Sequence, residues 1–274
     1  MENTLRIDEI RPVCALLSGI PYGHAPYWYE TTARPLCMDL ILPKHRQDAA
    51  PRPVIVWLCG GAFQQMDRSI WLPTLFPYAE QGYAVASVDY RVSAQAPYPA
   101  AVQDVKTAIR FLRAHSAEFC IDPERIVVMG ESAGGYLAAM AAVDAPEYEC
   151  GDWLEQSSRV QAVVDYYGKV EFSVSGDDPD CERALAAFLP DASLAEDASP
   201  VKRIGPDAPP FLIFHGERDP LVPIQESFHL RDALAKNGVR ADLYVLEGEG
   251  HGADAFYQAP VRKIILDFLN DVLK

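Results

Sequence analysis

The sequence predicts an α/β fold in which a mainly parallel, twisted sheet is flanked by helices and carries a small cap insertion. Apolar, strand-like runs alternate with segments of helical periodicity, which is typical of βαβ units. Residues 126–129 form an apolar run without polar alternation, as expected for a parallel strand that is buried on both faces. With 274 residues, 49% hydrophobic and uniform in character, the chain is expected to form one domain over residues 1–274.

The first part of the chain is predicted to supply four strands and one long helix. The strands are expected at residues 13–17, 36–43, 53–58 and 84–88, and the first two could pair as an antiparallel edge. The aromatic, turn-rich stretch 21–29 is expected to be a loop packed over the sheet edge, with a wall of the substrate pocket as the alternative. A proline near its start and an apolar period near 3.6 predict a helix over residues 99–114, and residues 121–124 are expected to form a turn.

The stretch around Ser132 organises the centre of the chain. The sequence Gly130-Glu131-Ser132-Ala133-Gly134 fits the pattern G-x-S-x-G, in which the serine lies on a strained turn between a strand and a helix. An apolar run precedes this turn, and the small residues 135–142 after it predict a helix that packs tightly on the sheet. The alternative interpretation is a glycine-rich strand–helix turn with an ordinary N-cap serine.

The last part of the chain continues the alternation and contains the insertion. Strands are expected at residues 160–167, 211–215 and 241–246, and helices at 224–237, closed by Gly238, and at 260–273. Residues 168–210 are polar and proline-rich, with one short amphipathic segment at 182–189. Because this insertion follows a strand's carboxyl end, it is expected to form a small cap rather than a second domain.

Composition excludes several classes of partner. The formal net charge of −15 would repel nucleic acids and anionic membranes. The six cysteines contain no C-x-x-C pair, so no metal or redox motif is indicated and no cofactor is expected. No apolar run is long enough to span a bilayer, and the first residues lack the basic start and apolar core of a secretory signal. We therefore expect a soluble, cytoplasmic protein.

A serine hydroxyl needs a histidine to take its proton and a carboxylate to hold that imidazole in the right tautomer. On a sheet of this kind the chain order should be serine, acid, histidine, which removes His24, His45 and His115. His215 and His229 are expected to be structural. His251, in a glycine-rich loop after the last strand, is predicted to be the base.

The acid is predicted to be Asp219, which follows the penultimate strand and precedes a helix. Asp165 is the second candidate and Asp254 a distant third. After the strand at 53–58, Gly60 and Gly61 could turn backbone N–H groups inward, toward the oxygen of a tetrahedral intermediate. A loose glycine loop is the alternative there.

Four motifs together carry a resemblance to a known superfamily. Residues 59–63, 130–135, 215–223 and 250–252 resemble α/β-hydrolases, and within them bacterial carboxylesterases of the hormone-sensitive-lipase and acetyl-xylan or feruloyl esterase type. The resemblance implies a catalytic triad of Ser132, Asp219 and His251. It also implies that the oxyanion-hole N–H groups come from Gly61, Ala62 and Ala133. Cys59 stands where many of these enzymes carry histidine, and Ala62 where many carry a third glycine.

The function expected from these features is that of a serine carboxylesterase with an acyl-enzyme intermediate. Its substrates should be small, soluble esters with short or aromatic acyl groups, in some cases linked to carbohydrate. The expected substrate-binding aromatic residues are Phe63, Tyr22, Trp28 and Phe172, for which plain packing under the cap is the alternative. A prolyl-type peptidase and a non-catalytic binding module on the same fold are the competing hypotheses.

Overall fold

A computed structural model describes residues 3–8, 11–27, 29–44, 50–172 and 179–274. Its centre is an eight-stranded sheet with the order β1-β2-β4-β3-β5-β6-β7-β8. The strands are β1 (Cys14–Tyr27), β2 (Tyr29–Pro43), β3 (Arg52–Leu58), β4 (Ala84–Val88), β5 (Ile121–Glu131), β6 (Ala162–Tyr166), β7 (Phe211–Gly216) and β8 (Ala241–Leu246). From β4 to β8 all neighbouring strands run parallel, whereas β2 is antiparallel to both β1 and β4.

Helices cover both faces of this sheet. They are α1 (Leu72–Glu80), α2 (Ala100–Ala114), α3 (Ser116–Phe119), α4 (Ala133–Ala141), α5 (Pro179–Phe188), α6 (Ala195–Ala198), α7 (Pro200–Arg203), α8 (Gln225–Lys236) and α9 (Ala259–Val272). One hydrophobic cluster joins the sheet to α2, α4 and α8, and a second joins its other face to α1 and α9. Successive residues of β3 alternate between them: Val56 belongs to the first cluster and Trp57 to the second. Burial on both faces explains why the central strands lack polar alternation.

The expected loop at residues 21–29 is wrong. Most of this stretch belongs to β1 and β2, which form a long antiparallel hairpin at the edge of the sheet. An edge strand tolerates Pro21 and Pro26 because one side of its backbone needs no hydrogen-bond partner, and the pairing shifts register near both prolines. The expected antiparallel edge is confirmed.

Two other elements differ from expectation. The residues 121–124, expected as a turn, form the start of β5. Helix α1 has no counterpart among the sequence predictions, since Pro73 and Pro77 obscure its pattern; Pro73 lies in its first turn, where a missing N–H costs little. Strands β1 and β2 are longer than the predicted strands at 13–17 and 36–43, and the remaining predicted strands and helices agree with the structure to within a few residues.

The insertion at residues 168–210 contains α5, α6 and α7, together with a 3₁₀ helix at Ala192–Leu194. The ring of Phe188, the last residue of α5, stacks on Phe63, which follows β3, with ring centroids 3.9 Å apart. The insertion therefore lies against the loops at the carboxyl ends of the central strands. Within the described residues, no helix has the length and apolar character needed to cross a membrane.

Candidate active site

Ser132 lies at the sharp turn between β5 and α4. Its backbone has φ 56° and ψ −118°, a conformation that residues with a Cβ atom rarely adopt. The turn requires close approach of strand and helix: a Cβ atom on Gly134 would overlap the carbonyl group of Leu58 in β3, and one on Gly130 would overlap the backbone of Gly134. The glycines of the motif thus let the chain turn tightly enough to present the serine above the sheet.

His251, in the loop after β8, contacts Ser132 directly. Its Nε2 lies 2.9 Å from the Ser132 Oγ, and its Nδ1 lies 2.7 Å from Asp219 Oδ2. Since the carboxylate can only accept, Nδ1–H donates to Asp219, which leaves Nε2 free to accept the serine proton. The side chain of His251 is 14% exposed, and its ring packs against Tyr167.

Asp219 lies in the loop after β7, and its side chain is completely buried. Burial alone raises the pKa of Asp219, but the hydrogen bond and charge of His251, together with the N–H groups of Val222 and Leu221, lower it by more. Those two N–H groups both donate to Oδ1 at 2.9 Å. The carboxylate is thus held ionised beside the imidazole.

The other candidate residues have different roles. Asp165 is buried in β6, where its Oδ1 accepts the N–H of Gly168, and it makes no hydrogen bond to His251. Burial raises the pKa of Asp165 to about 7. His215 is buried behind Asp219 and bonds to Ser227 Oγ and to the carbonyl of Val222, and burial lowers its pKa. The structural role expected for His215 agrees with these contacts.

The loop after β3 has a strained backbone next to the nucleophile. Ala62 and Phe63 have φ of 52° and 61°, and Gly61 has φ of 130°. Within the described part of the chain, no hydrogen bond occupies the N–H groups of Gly61 or Ala62. Ala62 and Ala133 line the same cavity as Ser132, whereas Gly61 lies beside it without lining it. These N–H groups are the available donors for an oxyanion.

This cavity has a volume of about 330 Å³ and is lined by both Ser132 and His251. Its apolar wall comes from Phe63, Ala184, Leu185, Leu221 and Val222. Lys169 also lines it, with Nζ 3.0 Å from the buried carboxylate of Glu226. A larger cavity, about 680 Å³, lies before the amino end of β6 and contains none of the three residues Ser132, His251 and Asp219.

Of the aromatic residues expected to bind substrate, Phe63 lines the cavity. Tyr22 does not, because its side chain is 1% exposed and its hydroxyl donates to the carbonyl of Asp89 in the core. Phe172 packs against Phe188 and Tyr136 and does not line the cavity. Trp28 lies outside the described residues.

Two residues next to the site were not singled out from the sequence. The hydroxyl of Tyr90 donates to the carbonyl of Cys59 at 2.6 Å, and the carboxylate of Glu131 accepts the N–H of Gly60. Glu131 occupies the variable position of the G-x-S-x-G pattern directly before Ser132, which was the available signal. Both contacts fix the start of the strained loop.

A mostly parallel eight-stranded sheet with a serine–histidine–aspartate hydrogen-bond chain at its strand ends defines a serine hydrolase of the α/β-hydrolase fold. Residues 38–234 match the model of the BD-FAE family, so the chain belongs to that family.

Named relatives are esterases. Esterase LipC of Mycobacterium tuberculosis is 35% identical over 283 residues, which cover 97% of this chain and 69% of LipC. The probable carboxylic ester hydrolase LipM of the same organism is also 35% identical, over 70% of this chain and 47% of LipM. The chain therefore spans only part of the length of these relatives.

Similar solved structures are also esterases. A truncated carbohydrate esterase from gut microbiota has a TM-score of 0.78 and 28% identity, covering 94% of this chain and 95% of that one. An acetyl ester-xyloside bifunctional hydrolase from Caldicellulosiruptor lactoaceticus has a TM-score of 0.79 and 25% identity, and the match covers 93% of this chain and 96% of that one. Thermogutta terrifontis esterase 2 phosphonylated by sarin has a TM-score of 0.79 and 26% identity, covering 98% of each chain. Fold, family and relatives together make this chain a serine carboxylesterase.

Proposed function

We propose that the protein hydrolyses small, short-acyl esters through an acyl-enzyme on Ser132. The observation that carries this proposal is the continuous hydrogen-bond chain from Ser132 through His251 to the buried Asp219. Ser132 and His251 line a cavity of about 330 Å³. The cavity has room for a small acyl group and part of the alcohol, and its wall is mainly apolar.

In the first half of the reaction, His251 Nε2 accepts the hydroxyl proton while Ser132 Oγ attacks the ester carbonyl carbon. The N–H groups of Gly61, Ala62 and Ala133 would stabilise the negative oxygen of the tetrahedral intermediate. When the carbon–oxygen ester bond breaks, the imidazolium returns its proton to the departing alcohol. Asp219 remains ionised throughout and stabilises the imidazolium by charge.

In the second half, His251 accepts a proton from water, and the resulting hydroxide attacks the acyl carbon on Ser132. The second tetrahedral intermediate uses the same oxyanion donors. Its collapse breaks the bond to Ser132 Oγ, which regains the proton from the imidazolium. The carboxylic acid is released and the enzyme returns to its starting state.

The alcohol part of the substrate is proposed to be a small neutral group such as a saccharide. Candidate substrates are therefore acetylated or feruloylated saccharides. Two of the similar solved structures are of a carbohydrate esterase and an acetyl ester-xyloside bifunctional hydrolase, which supports this choice. The ring of Phe63 in the cavity wall offers a face on which a sugar or phenolic ring could stack. The net charge of −15 disfavours polyanionic esters.

Replacing the nucleophile tests the reaction. Ser132→Ala should lower kcat on p-nitrophenyl acetate by about 10⁶-fold, because no acyl-enzyme can form. A serine-directed phosphonate should label the parent protein once, at Ser132, as read by mass spectrometry. The control, Ser193→Ala on the exposed 3₁₀ helix of the insertion, should behave like the parent. No ester turnover by the parent would favour a binding module, and faster turnover of a prolyl p-nitroanilide would favour a peptidase.

A series of acyl chains tests the substrate class. Each buried methylene can contribute about 0.8 kcal/mol while it fits, so kcat/KM should peak among the short p-nitrophenyl esters and fall for octanoate and palmitate. Efficiency that keeps rising beyond octanoate would mean a long acyl channel, contrary to this proposal.

A cytoplasmic location is also proposed. All six cysteines are free thiols in the structure, as is usual in a reducing compartment. Fractionation of the producing cells, with the protein found outside the cytoplasm, would contradict it.

A further inference from the structure

The strained loop after β3 is held by contacts that lie outside the predicted catalytic residues. Backbone conformations such as those of Ala62 and Phe63 persist only where the surroundings over-determine them. The donors of an oxyanion hole must also be fixed before the charge develops, since their value depends on preorganisation. Some feature of the structure has to fix this loop.

One peptide unit at the start of the loop is held at both of its polar ends. The carbonyl of Cys59 accepts the hydroxyl of Tyr90 at 2.6 Å, and the N–H of Gly60 donates to Glu131 Oε1. These two groups belong to the same peptide plane. With both ends bonded, the plane cannot rotate without breaking a buried hydrogen bond.

The carboxylate of Glu131 lies directly against the backbone of the loop after β3. A Cβ atom on Gly60 would lie 2.6 Å and 2.7 Å from the two carboxylate oxygens, so the carboxylate packs directly on the loop backbone. Because Glu131 immediately precedes Ser132, the same residue connects the nucleophile turn to the loop.

Tyr90 holds the other end from within the core. Its side chain is fully buried, and its ring belongs to the hydrophobic cluster that includes α2 and α4. Burial raises the pKa of the Cys59 thiol to about 12, so this side chain stays neutral. Further along, Ser93 N–H donates to the carbonyl of Phe63 at 2.7 Å.

We infer that Glu131 and Tyr90 are positioning residues that clamp the Cys59–Gly60 peptide and so aim the N–H groups of Gly61 and Ala62 at the oxyanion. This inference rests on the proposed esterase reaction.

Kinetics of Glu131→Ala, Glu131→Gln and Tyr90→Phe test the clamp. Loss of one oxyanion donor costs about 10²–10³ in kcat in other hydrolases, so Glu131→Ala should lower kcat by about 10²-fold with KM changed less than about threefold. Glu131→Gln should retain more activity, losing about tenfold, because the amide oxygen can still accept from Gly60. Tyr90→Phe should also lose about tenfold. The control, Glu124→Gln on the exposed start of β5, should match the parent.

The second readout is inhibition by a short-chain trifluoromethyl ketone, whose adduct with serine carries the oxyanion. Across the variants its Ki should rise by the same factor by which kcat/KM falls, whereas Ki for the product carboxylate should stay constant. A general loosening of the protein would not produce this proportionality. If Glu131→Ala fails to fold, Glu131→Gln and Tyr90→Phe carry the test.

Two outcomes would overturn the clamp: parent-like kcat/KM in Glu131→Gln and Tyr90→Phe, or a loss of kcat/KM without any loss of ketone affinity. The variant Ser132→Ala, measured in the same assay, distinguishes failure of this inference from failure of the proposed reaction. If Ser132→Ala keeps its activity, the proposed reaction itself fails. If Ser132→Ala is inactive while the clamp variants keep full activity and inhibitor affinity, only the inference about Glu131 and Tyr90 fails.

Discussion

Asp219 touches no reacting atom in the proposed reaction, yet it decides which nitrogen of His251 carries the proton. In Asp219→Asn an amide N–H can face Nδ1, which favours the tautomer that cannot accept from Ser132. We expect kcat to fall by about 10⁴-fold, as when the same change is made in a serine protease. Asp165→Asn, which lies away from His251, should remain within about threefold of the parent. The reverse pattern would transfer the role of the acid to Asp165.

Asp165 should instead affect stability as the pH changes. Its pKa is raised by burial from 3.8 to about 7, so between these values the unfolded chain has lost the proton and the folded chain keeps it. Stability from this group is therefore present at low pH and is lost as the pH rises through 7. Between pH 5 and pH 8 the free energy of unfolding of the parent should fall by about 2–3 kcal/mol more than that of Asp165→Asn, as measured by urea unfolding. Equal losses in both proteins would contradict a raised pKa in the folded state.

The sequence predicts Ser132, His251 and Asp219 as site residues because each has a local signal, either a glycine-flanked turn or a position just after a strand, and the structure joins the three by hydrogen bonds. The residues that it did not single out depend on contacts between distant segments. Glu131 is hydrogen-bonded to Gly60, which lies 71 residues before it in the sequence, and Tyr90 to Cys59, which lies 31 residues before it. Tyr22 was expected at the substrate because aromatic residues suit both a pocket and a core, and only the packed structure distinguishes the two.

The packing of α4 on β3 allows a test of the turn itself. In Gly134→Ala the new methyl group would overlap the carbonyl of Leu58, so strand and helix must separate. We expect the free energy of unfolding to fall by about 3 kcal/mol. The kcat of the folded protein should also fall, because the loop after β3 moves with Leu58. At Gly205 a Cβ atom meets nothing within 4 Å, and Gly205→Ala should be nearly neutral in thermal unfolding and kinetics. Similar stability for the two variants would argue against close packing at the turn.

The elements that sequence reasoning placed well are the central strands and the amphipathic helices, whose periodicity follows from burial. Prediction from the sequence was least accurate in segments that contain proline. Proline in the first turn of α1 and on edge strand β1 is compatible with regular structure, but the same residue also indicates turns. Which of these applies depends on whether a neighbouring strand needs the missing N–H, and that is decided by the position in the sheet.

The two hydrophobic clusters share the same strands, so neither can unfold while the other remains intact. Val56 and Trp57 are consecutive residues of β3 and belong to opposite clusters. We therefore predict that residues 1–274 unfold as a single domain. Scanning calorimetry should show one transition, and esterase activity should be lost at the same urea concentration as the tryptophan fluorescence signal. Two separated transitions would indicate that the insertion at 168–210, or another part, folds independently.

The order in which the site residues follow one another along the chain has a consequence for protein synthesis. In the proposed reaction the base comes last along the chain: His251 lies 119 positions after Ser132 and follows β8, the last strand in chain order. A nascent chain that has already exposed its serine turn therefore has no group to take the proton from that serine. Ester cleavage can begin only after translation has passed β8 and this strand has docked, so an unfinished chain remains inert toward the esters around it.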